Sequence, residues 1–148
     1  MRALIQRVSS GRVSIGGREH AAIGGGMVIL LGVAGGDTRE GASRLAARCA
    51  SLRIFADEAG KMNLSVQDAG GSMLVVSQFT LYADTQGGNR PGFPDAARPE
   101  EADELYRAFV SSCRLLLGPE RVQTGVFGAA MEVDIRNDGP VTIMLESR

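Results

Sequence analysis

The sequence predicts one α/β domain over residues 1–148, with mixed β-sheets and two main helices, and three features carry that prediction. The continuous apolar run 27–34 has the length and β-branched content of a strand covered on both faces, and a second buried strand reads from 73 to 79. Two longer segments, one after residue 38 and one after residue 98, repeat apolar residues at helical spacing. The stretch 122–145 alternates apolar and polar residues, as antiparallel strands with one buried face do. With 148 residues, 44% hydrophobic and 22% charged, the chain can bury most of the surface it exposes when unfolded.

The elements follow in order. Residues 2–9, 12–15 and 18–23 suggest a β-meander punctuated by Gly11, Gly16 and Gly17. The run 27–34 follows three glycines and belongs in the centre of a sheet. Asp37-Thr38-Arg39-Glu40 has the form of a capping box, with a hydroxyl or carboxylate N-cap and a glutamate at or near N3. In the helix it opens, Ala42, Leu45, Ala46, Cys49 and Leu52 form a narrow apolar face. The strand 73–79 comes next. Gly87, Gly88, Pro91, Gly92, Pro94 and Pro99 make 86–99 a loop, of a length that is usually functional or disordered. Pro99 suits N1 of a second helix, its acidic first turn complements the dipole, and Gly118-Pro119 ends it. The apolar stripe of that helix is Ala102, Leu105, Tyr106, Phe109, Val110, Cys113, Leu116 and Leu117. Strands at 122–127, 131–135 and 141–145 close the chain, the last two joined by a turn at 137–140.

Several functional classes are disfavoured at once. A net charge of -1 and a pI near 5.8 provide no overall positive field for long duplex nucleic acid or an anionic membrane. No apolar run approaches the roughly 20 residues of a membrane span, and no cationic, then apolar leader opens the sequence, so the expected compartment is the cytoplasm. Two cysteines and one histidine cannot complete a structural zinc site, and both cysteines fall on apolar helix faces as reduced, buried thiols. His20 has no partner for triad or metal chemistry and suits a surface or edge strand. None of the glycine-rich stretches has the spacing of a phosphate-binding loop or a dinucleotide fingerprint. No metal and no cofactor is expected.

Two segments carry polarity that their position does not require. The core strand runs into Ser77-Gln78-Phe79-Thr80-Leu81-Tyr82, placing two hydroxyls and an amide at a strand end, where ligand sites commonly lie. Hydroxyls bonded to local backbone in an ordinary turn explain the same residues. Asn137-Asp138-Gly139-Pro140-Val141-Thr142 suits a hairpin turn, yet proline there removes a donor, and a Gly-Pro bond can be held cis at a cost of about 0.5–1 kcal/mol.

These segments, together with Gly88-Asn89-Arg90-Pro91, resemble the D-aminoacyl-tRNA deacylase family. The resemblance extends to Met1-Arg2-Ala3-Leu4-Ile5-Gln6-Arg7-Val8, to the 28–33 strand and to Lys61-Met62-Asn63-Leu64-Ser65, and so covers the whole chain. Gly92 departs from it, since many relatives have serine after the Arg-Pro pair.

The resemblance implies the family fold, a single domain layered β/β/α, and hydrolysis of the ester between a D-amino acid and the terminal adenosine of a tRNA. The partner it implies is the acceptor end of aminoacyl-tRNA, with glycyl-tRNA as a further substrate. It also implies a homodimer in which Gly139 and Pro140, joined by a cis bond, enter the neighbouring subunit's pocket as the chiral filter. By the same carry-over, Ser77, Gln78, Phe79 and Thr80 flank the reacting ester, Arg7 supports the Gly-Pro loop, and Phe127 and Met131 wall the adenosine. An enzyme accepting many D side chains must select by excluding the L configuration at the α-carbon, which rigid main chain does well. Backbone amides near Phe79 and Thr80 can stabilise the oxyanion without a histidine, and the adjacent ribose hydroxyl of the tRNA can assist water. Arg90 and Arg98 are expected phosphate contacts. Two other readings stay open: a deacylase of the same fold for mischarged L-aminoacyl-tRNA, and a non-catalytic module binding the tRNA end.

Overall fold

The computed structural model describes residues 1–147. A first strand, β1 (Arg2–Ile15), runs into β2 (Arg18–Ile23) and β3 (Gly26–Gly32). Helix α1 (Arg39–Ser51) leads to a small hairpin of β4 (Phe55–Ala56) and β5 (Met62–Leu64). After β6 (Ser72–Ser77) comes a single 3-10 turn, Phe79–Tyr82, and then helix α2 (Pro99–Leu117). A short 3-10 turn, Pro119–Arg121, precedes β7 (Val122–Thr124) and a long final strand, β8 (Glu132–Glu146).

The main sheet is mixed, as expected. Strands β3, β6 and β7 are parallel neighbours, whereas β1 runs antiparallel to β2, β3 and β8. Residues 2–8 of β1 pair with β3, residues 11–15 pair with β2, and β8 accompanies β1 along both parts. Ala3, Ile5, Met27, Ile29, Leu31, Met73 and Val75 meet the buried stripes of α1 and α2 on one face. On the other, Val8, Val13, Ala21, Ile23, Val28, Leu74 and Val76 form a second core beneath Met131, Val133 and Ile135. The layers are therefore β/β/α: helices cover one face, and the far half of β1 with β2 and the start of β8 folds over the other.

Glycine places the bend. A Cβ at Gly11 would lie 2.8 Å from Cγ2 of Val28, so β1 crosses the sheet where it carries no side chain. Gly11 thus lets a 14-residue strand continue, where the sequence suggests a break. At Gly26, with φ +155, a Cβ would sit 1.9 Å from the backbone oxygen of Ser72.

Other boundaries differ for local reasons. Thr38 is the N-cap of α1, accepting from the Gly41 amide at 3.1 Å; this makes Glu40 the second helical residue, without the reciprocal capping-box bond. Leu116 leaves the α2 stripe and is half-exposed, while Leu117 is buried. The strands expected at 73–79 and 122–127 end at Ser77 and Thr124. Both cysteines are buried in the helix-side core, where burial raises their thiol pKa values, Cys113 to about 12.

The expected hairpin at 137–140 is not one. Residues 132–137 and 142–146 pair with β1 rather than with each other, and Asn137 stands opposite Val8 while Thr142 stands opposite Gln6. The residues between them bulge from a continuous strand. Each half of β8 satisfies its backbone on β1, so the local turn signal lost to the longer ladder.

Gly26→Ala should destabilise the protein by about 3 kcal/mol or more, because the β6 backbone would have to move and the conformation disfavours a side chain. Gly24→Ala, at a site with nothing within 4 Å of the added carbon, should stay within about 0.5 kcal/mol. Urea unfolding of the two variants measures the contrast.

Candidate functional site

A cavity of about 600 Å³ opens where β6 ends. Its walls come from four places: Val76 to Phe79 from the end of β6, Val33 from the end of β3, Phe93 to Ala102 from the long loop and the start of α2, and Phe127 to Val133 before and within β8. The lining is mostly apolar, and among the described residues none of its side chains is a carboxylate, histidine, lysine, arginine, cysteine or tyrosine. The polar groups that this chain brings to the cavity are therefore main-chain, hydroxyl and amide groups.

Strand β6 stops at Ser77 for a physical reason. The Gln78 amide still donates to the Leu31 carbonyl at 2.8 Å, after which the chain coils into the 3-10 turn. The Leu81 amide bonds back to Gln78 at 3.3 Å. Among the described residues, the amides of Phe79 and Thr80 donate to no backbone carbonyl, as befits the first residues of a turn. The Gln78 side-chain amide donates to Oγ1 of Thr80. Ser77, Gln78 and Phe79 line the cavity, whereas Thr80, one residue further, does not.

Aromatic packing shapes the walls. Phe79 is 57% exposed and meets Phe93 edge to face, with centroids 4.9 Å apart. The long loop is pinned on both sides of that contact: Asp84 and Gly92 exchange backbone bonds of 2.8 and 2.9 Å, and the Ala97 amide reaches the Val33 carbonyl at 3.0 Å. Across the cavity, Phe127 tilts against Tyr106 at 6.0 Å, and the Tyr106 hydroxyl donates to the Val75 carbonyl at 2.8 Å. Burial raises the Tyr106 pKa to about 12. The Tyr82 hydroxyl, beside the turn, is also raised to about 12, first by burial and then by the charge of Asp37.

Ser77, Gln78, Phe79, Phe127 and Met131 thus line one cavity. Gly139, Pro140 and Arg7 are elsewhere. Arg7 and Val8 pair with Met27 and Gly26 at the start of β3, whereas the cavity lies past its end, roughly 20 Å away at about 3.3 Å per residue. The bulge is well held there. Arg7 donates from Nε to the Asp138 carbonyl at 2.8 Å and from Nη1 to the Ile54 carbonyl at 2.6 Å. The Asn137 side chain closes the base, accepting from the Val141 amide at 2.8 Å and donating to the Val141 carbonyl and Thr142 hydroxyl, both at 3.2 Å. The Gly139–Pro140 bond is cis.

Sequence reasoning missed Phe93, Val33 and the 96–102 wall. An isolated aromatic in a glycine- and proline-rich loop was a usable signal for Phe93; nothing local marked the small residues Ala96, Ala97 and Ala102.

Comparison with known proteins adds a consistent set of relatives. A family model described as D-Tyr-tRNA(Tyr) deacylase matches residues 4–146. A D-aminoacyl-tRNA deacylase from Cytophaga hutchinsonii is 50% identical over 148 residues, covering 100% of this chain and 98% of its own. Another, from Paracoccus denitrificans, is 55% identical over 147 residues, with coverages of 99% and 97%. Among solved structures, one described as a c-Myc DNA Unwinding Element Binding Protein superposes with a TM-score of 0.95 at 42% identity, covering 100% of this chain and 99% of that one. A structure described as a probable eukaryotic D-amino acid tRNA deacylase, at 16% identity and 98% coverage of each chain, shares the fold with a TM-score of 0.86.

Whatever the ligand, both tyrosines should ionise late. In an ultraviolet titration the folded protein should show little tyrosinate near pH 10, the ordinary value for the unfolded side chain. The protonated forms are favoured by folding, so stability is complete below that value and falls as pH rises from about 10 towards 12. A native titration centred near pH 10 would contradict the burial described.

Proposed function

The chain belongs to the D-Tyr-tRNA(Tyr) deacylase family, and from that premise we propose that it hydrolyses the ester linking a D-amino acid to the terminal adenosine of a tRNA. It is a D-aminoacyl-tRNA deacylase, a hydrolase acting on aminoacyl-tRNA. The observation that supports the chemistry best is the cavity itself: it has the volume for a nucleoside and its ester, its walls are apolar, and among the described residues the amides of Phe79, which lines it, and of the next residue, Thr80, donate to no backbone carbonyl.

In this reading Phe127 and Met131 wall the adenosine, and the ester carbonyl lies against Ser77, Gln78, Phe79 and Thr80. Water adds to the carbonyl carbon, and the Phe79 and Thr80 amides hold the developing oxyanion. The intermediate collapses by breaking the bond to the ribose oxygen, which leaves with a proton, releasing free D-amino acid and tRNA. With no titratable side chain in the lining, the vicinal ribose hydroxyl of the substrate relays the proton. Arg90 and Arg98, on the loop leading to α2, contact acceptor-end phosphates in this reading.

Selection for D substrates falls to Gly139 and Pro140. Main chain closed by Asn137 and braced by Arg7 has no rotamers with which to yield to an L side chain. Glycine has no side chain to exclude, so the same filter admits glycyl-tRNA. Within one chain the bulge lies at the wrong end of β3, so the working unit in this reading is a homodimer in which each bulge enters the other subunit's pocket. Leu4, Leu30 and half-exposed Met144, adjacent across three strands, offer an apolar row for that contact. Action on aminoacyl-tRNA assigns the enzyme to the cytoplasm; among the described residues no helix is long and apolar enough to cross a membrane. The DNA named for one structural relative is not carried over, since a net charge of -1 supplies no overall positive field for a duplex.

Purified protein should hydrolyse D-Tyr-tRNA and spare L-Tyr-tRNA; binding without turnover would sink the enzymatic reading. A shared site is tested by complementation. Ala102→Trp, which fills the pocket, and deletion of Gly139 and Pro140 should each be inactive, while subunit exchange between them should restore roughly a quarter of wild-type sites. No recovery from exchanged dimers would refute insertion of the bulge into a partner.

Thr80→Ala should keep the single-turnover rate within about tenfold, because the hydroxyl is turned to Gln78 and no base adjoins it. A loss of about 10⁴ with the fold intact would instead give the hydroxyl a direct part in the chemistry.

A further inference from the structure

We propose that Arg2 is a positioning residue for this reaction, fixing the 3-10 turn Phe79–Tyr82 against the sheet and so aiming the Phe79 and Thr80 amides. The inference rests on the ester hydrolysis proposed above. The turn contains four residues, none of them buried, so it cannot hold its position by its own packing. Three ties remain. The first is the Gln78 amide on the Leu31 carbonyl. The second is the bare backbone of Gly32, where a Cβ would lie 3.1 Å from the Tyr82 ring and 3.2 Å from the Gln78 carbonyl oxygen, so the turn rests directly on β3.

Arg2, the cross-strand partner of Gly32, is the third tie and holds the far end of the turn. Its Nη1 donates to the Leu81 carbonyl at 2.8 Å, and its guanidinium carbon lies 4.6 Å from the centroid of the Tyr82 ring. Its Nε donates to Glu146 at 2.8 Å, which sets the plane of the group. The backbone carbonyl of Glu146 is itself held by Arg48 at 2.6 Å. One rigid, planar cation therefore links both edge contacts of the turn to β1 and β8, which a lysine ammonium on a flexible stem cannot reproduce. Arg2 is absent from the cavity lining, so it acts through the turn rather than on the substrate.

Single-turnover hydrolysis of D-Tyr-tRNA, with enzyme in excess, separates the maximal rate from the half-saturating enzyme concentration. Arg2→Gln and Arg2→Lys should each lower the maximal rate by about tenfold or more and move half-saturation by less than about threefold. Amide exchange in 78–82 should accelerate by about tenfold or more in both, with protection in α1 and β3 unchanged. Tyr82→Leu should move both readouts in the same direction, and Arg107→Gln, on an exposed helix pair, neither. The proposal is overturned if Arg2→Lys keeps the wild-type rate and exchange, if the loss lies wholly in half-saturation, or if protection falls across the whole fold. Should Arg2→Gln fail to fold, Arg2→Lys and Tyr82→Leu decide. A wild-type protein without hydrolytic activity would sink the functional reading instead, while the exchange data would still judge the Arg2 tie.

Discussion

Strand β1 is paired along both edges, with β8 on one side and β3 followed by β2 on the other, and the rest of the molecule is arranged by that ladder. A strand paired on both sides leaves few backbone groups to water, so neither its bend at Gly11 nor its register can shift alone. Its first half supplies Ala3 and Ile5 to the helix-side core, and its second half supplies Val8 and Val13 to the opposite one. The two cores are thus built by the same strand on opposite faces.

The ladder also separates the two segments on which the proposed function rests. Arg2, at one end of β1, holds the turn beside the cavity, and Arg7, five positions on, holds the bulge of β8. Between them lies the length of β3, a distance that no local rearrangement of a paired sheet can close. Under the proposed function, a catalytic segment and a selecting segment at opposite ends of one rigid element suit a site assembled from two copies, each contributing one end.

The proposed chemistry is as unusual in its composition as in its placement. Active sites commonly advertise themselves through titratable groups with displaced pKa values. Here the large upward shifts belong to Tyr82, Tyr106, Cys49 and Cys113, all explained first by burial and none lining the cavity. Amides at the start of a turn, fixed by the surrounding backbone, can stabilise an oxyanion without reorganising. Their orientation then matters more than the identity of any side chain in the segment, which makes residues that merely hold the turn important.

Much of this was legible in the sequence. The apolar runs around Val28 and Val75, the helical stripes through Leu45 and Phe109, and the start and stop of α2 at Pro99 and Gly118 depend on local periodicity and backbone restriction, which the chain carries with it. The strand-end segment from Ser77 to Thr80 stood out because its polarity did not suit a core strand. Other features were decided only by the tertiary structure. The Asn137–Pro140 turn signal gave way to a bulge, since both flanking segments found better partners on β1 than in each other. Gly11 became a crossing point because Val28 lies beneath it, and Phe93, Ala97 and Ala102 became a wall because the loop is pinned to β3. Nor could spacing along the chain show that Arg2 reaches Leu81, or that Arg7 and the cavity lie at opposite ends of one strand. Periodicity and turn chemistry act over a few residues and are written in the sequence; pairing between distant segments is settled only when every strand competes for the same hydrogen-bonding edges.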